Sequence, residues 1–326
     1  MFAEPVGFDR QQLVATLSWH WGLSVTSIRY EPVGFGSHHF VVADAAGADW
    51  FVNVDELATK DPDTDLAFDR LDRALRTAAS LRDAGLEFVH APTPGRDGGL
   101  LARTADYAVW LHVYLTGTSE PYGAIASDPD RCRLLGMLGR MHAAGRQIPP
   151  DLPPRETLAI PVRRQFFLAL GQLEQPWTGG PYSERARQAL FNHAEQIHAA
   201  FTRYDALVPA VAAGSDSWVV THGEPHAANL MRIDGDALVL IDWDTAALAP
   251  RERDLWMVEP RDDADKAAYA CAGGTTEIDP LAMELYRTLW TLSELTLYTA
   301  DFRAPHAEDA NTRVAWDAFL SELPTR

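Results

Sequence analysis

The chain has 326 residues, 47% hydrophobic and 23% charged, enough to bury a sizeable core as one large or two medium domains. Its net charge of −18, with Lys60 and Lys266 as the only lysines, argues against nucleic-acid and anionic-membrane partners; it would concentrate a cationic small molecule at an acidic cleft, or merely keep the protein soluble. No basic start precedes an apolar run near Met1, no apolar stretch is bilayer-long, and Cys132 and Cys271 make no disulfide framework, so a cytoplasmic protein is expected.

In chain order, Ser24–Tyr30 alternates like a strand, a glycine turn follows, and Phe40–Ala43 and Asp49–Asp55 read as two more strands joined by a turn at Asp44–Gly47. Residues 64–84 carry Leu66, Leu71, Leu75, Ala78 and Leu81 at helical spacing, with Gly85 as the stop. Strands near Gly99–Arg103 and Ala108–Tyr114 complete a five-stranded lobe. Leu115-Thr-Gly-Thr-Ser119 breaks the pattern and is a candidate hinge, placing a boundary between residues 1–115 and 116–326. Beyond it the chain is mainly helical. Asp128–Ala144 reads as a helix with Asp128 as its N-cap, and Tyr182–Tyr204 and Pro280–Ala300 as two more.

The chemistry concentrates in Thr221-His-Gly-Glu-Pro-His-Ala-Ala-Asn229 and in Val239-Leu-Ile-Asp-Trp-Asp244. A carboxylate, then an amide five positions on, then an apolar run delivering two carboxylates is the layout of a phosphoryl-transfer loop. In that layout Glu224 accepts a proton from a substrate hydroxyl, while Asn229 and Asp242 hold magnesium against a nucleotide triphosphate. Upstream, Glu31-Pro-Val-Gly-Phe-Gly-Ser-His-His-Phe40 lies between two strands, and Gly34, Gly36 and Ser37 could bring backbone N–H groups close to phosphates. Other metal chemistry fits poorly. The His-x-Glu of His222 and Glu224 lacks the Pro-Cys-x-x-Cys of a zinc deaminase, and there is no His-Glu-x-x-His.

Together with Leu138-Gly-Arg-Met-His-Ala143 and Leu248-Ala-Pro-Arg-Glu-Arg-Asp-Leu255, these segments resemble the aminoglycoside phosphotransferase family, nearest its spectinomycin-phosphotransferase-like branch. The resemblance covers nearly the whole chain and implies an α+β, protein-kinase-like fold, with a small antiparallel lobe before a larger helical one. It puts Glu224 at the catalytic carboxylate, Asn229 and Asp242 at the metal ligands, and His222 as a brace for the loop. Asp254 would fix the loop backbone. Triphosphate, ATP or GTP, would lie beneath the glycine turn, with its base near Tyr114 and Leu115. Asp244 is the candidate for recognising a cationic or polyhydroxyl acceptor, and His226 either orients substrate or hydrogen-bonds the loop.

Two positions depart from the family pattern. Glu224 stands where aspartate is usual, which barely changes proton affinity but lengthens the reach by a methylene; a loop set back at Pro225 would absorb this. Asn53 stands where a phosphate-binding lysine is usual and brings no charge. His38 and His39 are the nearest candidates to help, or they simply cap the hairpin, and Asp69 and Asp72 would have no lysine to pair with. The expectation is a magnesium-dependent O-phosphotransferase whose acceptor is an antibiotic, an aminocyclitol or another sugar-bearing natural product, with resistance as the outcome. Two alternatives stay open: a kinase of a cellular amino alcohol, amino sugar or nucleoside, and a nucleotide-binding sensor that has lost catalysis.

Overall fold

The computed structural model describes residues 1–5 and 8–324. Contacts group the chain into two compact units, one of residues 1–156 and 218–277, the other of residues 157–217 and 278–326. The expected lobe boundary after residue 115 lies inside the first of them.

The first unit opens with α1 (Arg10–Thr16), capped by the Asp9 carboxylate and prolonged by a π-turn at Leu17–Trp21. Strands β1 (Val25–Glu31), β2 (His38–Asp44) and β3 (Asp49–Glu56) follow, then a single helical turn α2 (Leu57–Lys60) and the long α3 (Thr64–Asp83). Strands β4 (Ala102–Thr104) and β5 (Tyr107–Val113) complete an antiparallel sheet in the order β1-β2-β3-β5-β4. Alternation sorts its side chains. Phe40, Val42, Val52, Val54, Val109 and Leu111 pack with Leu13 and Leu17 on one face. On the other, Ala108 and Trp110 pack with Leu57 and with Leu71 and Leu75 of α3. That second face also carries the polar positions of β3, Asn53 and Asp55, at intervals of two from Phe51.

The helix α4 (Asp128–Ala144) follows the linker. Its N-cap is Ser127, not Asp128: the Ser127 hydroxyl accepts from the Asp130 N–H, whereas Asp128 is the first helical residue and pairs with Arg131 at 2.6 Å. Serine fits because a cap needs extended backbone just ahead of the helix, and Asp128 is already helical.

The rest of this unit comprises β6 (Val219–Thr221), β7 (Leu230–Ile233), β8 (Ala237–Leu240), β9 (Ala247–Ala249), α7 (Glu252–Val258) and α8 (Asp263–Cys271). Helix α8 lies close against α4. A Cβ on Gly139 would fall 2.4 Å from the Tyr269 carbonyl oxygen, so glycine is what permits the approach.

The second unit is helical: α5 (Arg163–Leu170), α6 (Ser183–Ala213), α9 (Pro280–Arg303) and α10 (Ala310–Ser321). Its core includes Phe166, Leu190, Ile197, Phe201, Leu292, Leu295, Phe302 and Phe319. Helix α6 continues past Tyr204 and through Pro209, because burial of Leu207 and Val211 outweighs one missing backbone hydrogen bond. Among the described residues no helix is long and apolar enough to cross a membrane.

Candidate active site

Strand pairing draws the two chemistry-bearing loops together. Strand β6 pairs with β9 and β7 with β8, so the loop 222–229 and the loop 241–246 leave adjacent strands. The Ile241 N–H donates to the Asn229 carbonyl at 3.0 Å, which sets the Asp242 backbone one residue from that contact. At the other end, the Thr245 hydroxyl donates to the His222 carbonyl at 2.9 Å.

A buried carboxylate fixes the first loop from behind. Asp254, on α7, accepts from the backbone N–H of His222 at 3.0 Å and of Gly223 at 2.7 Å. His142 of α4 contacts the same carboxylate through Nε2 at 2.9 Å, and its Nδ1 lies 2.6 Å from the Tyr269 hydroxyl of α8. Burial alone would push the Asp254 carboxyl up; the hydrogen bond to His142 and the nearby Arg253 guanidinium help outweigh it and hold it below the usual range. Gly223 is at φ +104°, and a Cβ there would meet the Arg253 guanidinium at 2.4 Å, so the loop requires glycine.

His222 is fully buried, and both ring nitrogens are engaged. The Glu224 N–H donates to Nδ1 at 3.2 Å, which puts the ring proton on Nε2, and Nε2 donates to the Ile241 carbonyl at 2.9 Å. The ring therefore ties the two loops. Burial drives its pKa down to about 4, so it stays neutral near pH 7. Burial does the same to His39 and His90, each also to about 4.

A sign follows for acid stability. Below the ordinary histidine value of 6.5 the unfolded chain takes up protons on these rings, while the folded chain does not until about 4. Folded stability should thus fall between pH 6.5 and 4.5, by up to ~1.4 kcal/mol per pH unit for a fully buried ring such as His222. Denaturant unfolding at several pH values checks this, and flat stability across the interval would contradict it.

Asp242 combines an unusual backbone with a crowded electrostatic setting. Its backbone sits at φ +69°, in the left-handed region. Although the residue as a whole is exposed, partial desolvation of its carboxyl and the neighbouring carboxylates of Asp244 and Glu224 push its pKa well above the ordinary aspartate value, and Lys60 offsets only part of this. Such a donor set suits a divalent cation, which relieves the repulsion that otherwise protonates the group. The Asn229 Nδ2 donates to the Glu224 carbonyl at 2.9 Å, committing the NH₂ end of the amide, while its oxygen takes no hydrogen bond among the described residues. The structure thus gathers Glu224, Asn229, Asp242 and Asp244 with His222 and His226. His226 lies with Nε2 3.8 Å from Glu224 Oε2 and its ring edge-on to Tyr122. Its Nδ1 is buried without a hydrogen-bond partner among the described residues.

The glycine turn is built as its spacing suggests. Gly34 and Gly36 take φ +68° and +87°, and the Ser37 hydroxyl donates to Asp55 at 2.6 Å. His39 and Asn53 face each other on the polar sheet face, with His39 Nδ1 3.0 Å from Asn53 Oδ1. His38 does not join them. It alternates to the opposite face with Phe40 and Val42, and its Nδ1 contacts the Tyr30 hydroxyl at 3.1 Å. Tyr114 is exposed, and its N–H still belongs to the β3 ladder, donating to the Asp49 carbonyl at 2.9 Å. Leu115 lines a cavity of about 760 Å³ with His90, Val113, Ile233 and Val239; none of the acidic-loop residues borders it.

Sequence reasoning missed Lys60. Its Nζ lies 3.1 Å from Asp55 Oδ1 and 3.3 Å from Asp244 Oδ2. It also passed over Tyr269, although the glycine and histidine three apart on α4 mark a face made for close contact. Asp69 and Asp72 have surface partners instead, Arg73 and Arg76, one turn on.

The pattern of the phosphotransferase enzyme family matches residues 37–286, more than half the chain. The chain belongs to this family. Protein StrN of Streptomyces griseus is 29% identical over 261 residues, 77% of this chain and 76% of its own. A homoserine kinase of Cupriavidus metallidurans is 36% identical over 95 residues, 29% of this chain and 27% of that one. In structure the chain is similar to a spectinomycin phosphotransferase solved with ADP and spectinomycin. The TM-score is 0.76 and the identity 15%, covering 98% of this chain and 96% of that one. The fold is therefore kinase-like, and this member of the phosphotransferase enzyme family is a small-molecule kinase with an alcohol group as acceptor.

Proposed function

We propose that the protein transfers the terminal phosphoryl group of ATP to a hydroxyl of an amine-bearing natural product of the aminocyclitol or aminoglycoside kind. One observation carries the reading: Asp242, held at a left-handed φ among the carboxylates of Asp244 and Glu224, beside an Asn229 whose amide oxygen takes no hydrogen bond among the described residues. Asn229 and Asp242 are the residues that would hold magnesium. When bound, that ion neutralises charge on the nucleotide phosphates and on the carboxylates around it. Glu224 receives the acceptor hydroxyl and takes its proton as the acceptor oxygen bonds to phosphorus and the bond to the ADP leaving group breaks. His226, neutral and beside Glu224, positions the acceptor. The carboxylates at this loop favour an acceptor carrying ammonium groups, as the spectinomycin phosphotransferase likeness and the match to StrN also suggest. A resistance role follows if the acceptor is an antibiotic.

The homoserine kinase match supports a second reading, in which the acceptor is a cellular amino-bearing alcohol. A panel assay decides. Purified protein with magnesium and ATP is presented with aminocyclitols, aminoglycosides, macrolides, homoserine and simple amino alcohols, and products are read by mass spectrometry. Phosphorylation of an aminocyclitol or aminoglycoside at the highest kcat/KM supports the first reading, and preference for homoserine or an amino alcohol supports the second. ATP left unconsumed with every acceptor would remove both.

A further inference from the structure

Strand β3 carries Asn53 where a lysine would give the nucleotide phosphates a positive charge, and asparagine offers hydrogen bonds but no charge. Two features of the same sheet face bear on this gap. The first is Asn53 itself. It is 3% exposed, its oxygen is taken by His39, and its Nδ2 has no hydrogen-bond partner among the described residues. A buried amide N–H₂ left without an acceptor is destabilising, so this donor calls for a ligand acceptor.

The second is Lys60. The one-turn helix α2 reverses the chain after β3 and returns Lys60 to the polar face two residues beyond Asn53, at Asp55. Asp55 is fully buried and held from three sides, by Ser37 at 2.6 Å, Trp110 Nε1 at 2.7 Å and Lys60 at 3.1 Å. Burial works against its charge, but Lys60 and these hydrogen bonds outweigh burial and hold its carboxyl below the usual range. The ammonium thus has a rigid anchor on the strand. It also reaches the glycine turn, since a Cβ on Gly36 would lie 3.7 Å from Nζ, and the acidic loop, at Asp244. An ammonium has three N–H donors, and two carboxylates account for two of them.

We propose that Lys60 is the phosphate-contacting cation of this protein, displaced by seven residues from the position Asn53 occupies and anchored by Asp55. The inference rests on the kinase reading given above. In it, the third Lys60 donor and the free Asn53 Nδ2 both serve phosphate oxygens held beneath Gly34 and Gly36. The role open to a merely structural lysine is neutralising buried Asp55, and it makes a different prediction: such a lysine stabilises the sheet without distinguishing a phosphorylated ligand from a bare nucleoside.

The test is calorimetric binding of Mg·ADP and of adenosine to the full chain and three variants: Lys60→Met, Asp55→Asn/Lys60→Met and Asn53→Lys/Lys60→Met. The second removes both charges of the Asp55–Lys60 pair, so buried Asp55 is not left without its partner, and it is read where loss of Lys60 alone prevents folding. Mg·ADP affinity should fall about tenfold to a hundredfold in the first two, the range for losing a hydrogen bond to a charged group, with adenosine affinity unchanged. A lysine on the strand at position 53 should restore most of the loss. Mg·ADP binding at wild-type strength without Lys60 overturns the proposal, as does an equal loss for adenosine and ADP, or a strand lysine that restores nothing. Wild-type protein that binds neither ligand would instead overturn the kinase reading beneath it.

Discussion

Asp242→Asn should abolish measurable phosphoryl transfer, a loss of at least about a thousandfold, while raising the thermal midpoint of the apo protein. Both halves follow from the same surroundings. The carboxylate is the charged member of the proposed ligand pair, and an amide in its place leaves two neutral oxygens to hold a divalent ion against a polyphosphate. Without such an ion the carboxylate is a liability to the fold. The carboxylates of Asp244, Glu224 and Asp55 all raise its pKa. Asparagine removes that repulsion at nearly the same volume, and it tolerates the φ of +69° as well as aspartate does. Magnesium should shift the melting temperature of the wild-type chain upward in the presence of ADP, and do much less for the variant. Differential scanning with and without Mg·ADP, beside a turnover assay, separates a lost site from a lost fold. Activity within tenfold of wild type, or an apo midpoint that falls, would refute the assignment.

The sheet and its turns were legible because they depend on local rules. Period-two alternation placed β1, β2, β3 and β5 to within one or two residues, and Gly85, at φ +92° just past α3, marks a helix end by the usual backbone argument. What failed locally was a choice between adjacent polar residues: Ser127 and Asp128 can both cap a helix, and the backbone decides, since Asp128 is already helical and pairs with Arg131 one turn on. Pro209 hid the last turns of α6, since a proline argues for a stop and only the burial of Leu207 and Val211 argues against one. Helices α1, α5, α8 and α10 are short or weakly periodic, and tertiary packing rather than propensity holds them.

At the site, spacing pointed to the loop because phosphoryl transfer calls for particular groups in a particular order. Asp254 behind the loop was also inferable, as a carboxylate following the metal segment, and it does bind the backbone N–H groups of His222 and Gly223. The charge balance was not readable. Asn53 announces a missing cation, but nothing in Leu57-Ala-Thr-Lys60 says that a single helical turn folds its lysine back onto Asp55. For the same reason Asp244, expected to face an acceptor, is found paired with Lys60. His38 and His39 show the complementary limit: adjacent residues on a strand point to opposite faces, so only His39 shares a face with Asn53.

Shortening Glu224 to aspartate, the residue usual in the family, should lower kcat by about a hundredfold, and Glu224→Gln by about a hundredfold to ten-thousandfold. The backbone explains why the first change is harmful rather than restorative. The Glu224 N–H is held by His222 Nδ1 at 3.2 Å and its carbonyl by Asn229 Nδ2 at 2.9 Å. His222 is in turn fastened to Asp254 and to Ile241. With amide and carbonyl both fixed, the loop cannot advance to make up for a lost methylene, and the aspartate oxygen stops about an ångström short of the acceptor hydroxyl. Nucleotide affinity should change little in either variant, since in the proposed mechanism Glu224 contacts the acceptor rather than the phosphates, so the effect belongs in kcat and in acceptor KM. Steady-state kinetics with ATP and acceptor each varied in turn at saturation of the other reads this directly. An aspartate variant as fast as wild type would mean that the loop moves and that its hydrogen bonds do not set the reach. A glutamine variant of undiminished kcat would take the proton-accepting role away from this residue altogether, while leaving Asn229 and Asp242 as metal ligands untouched.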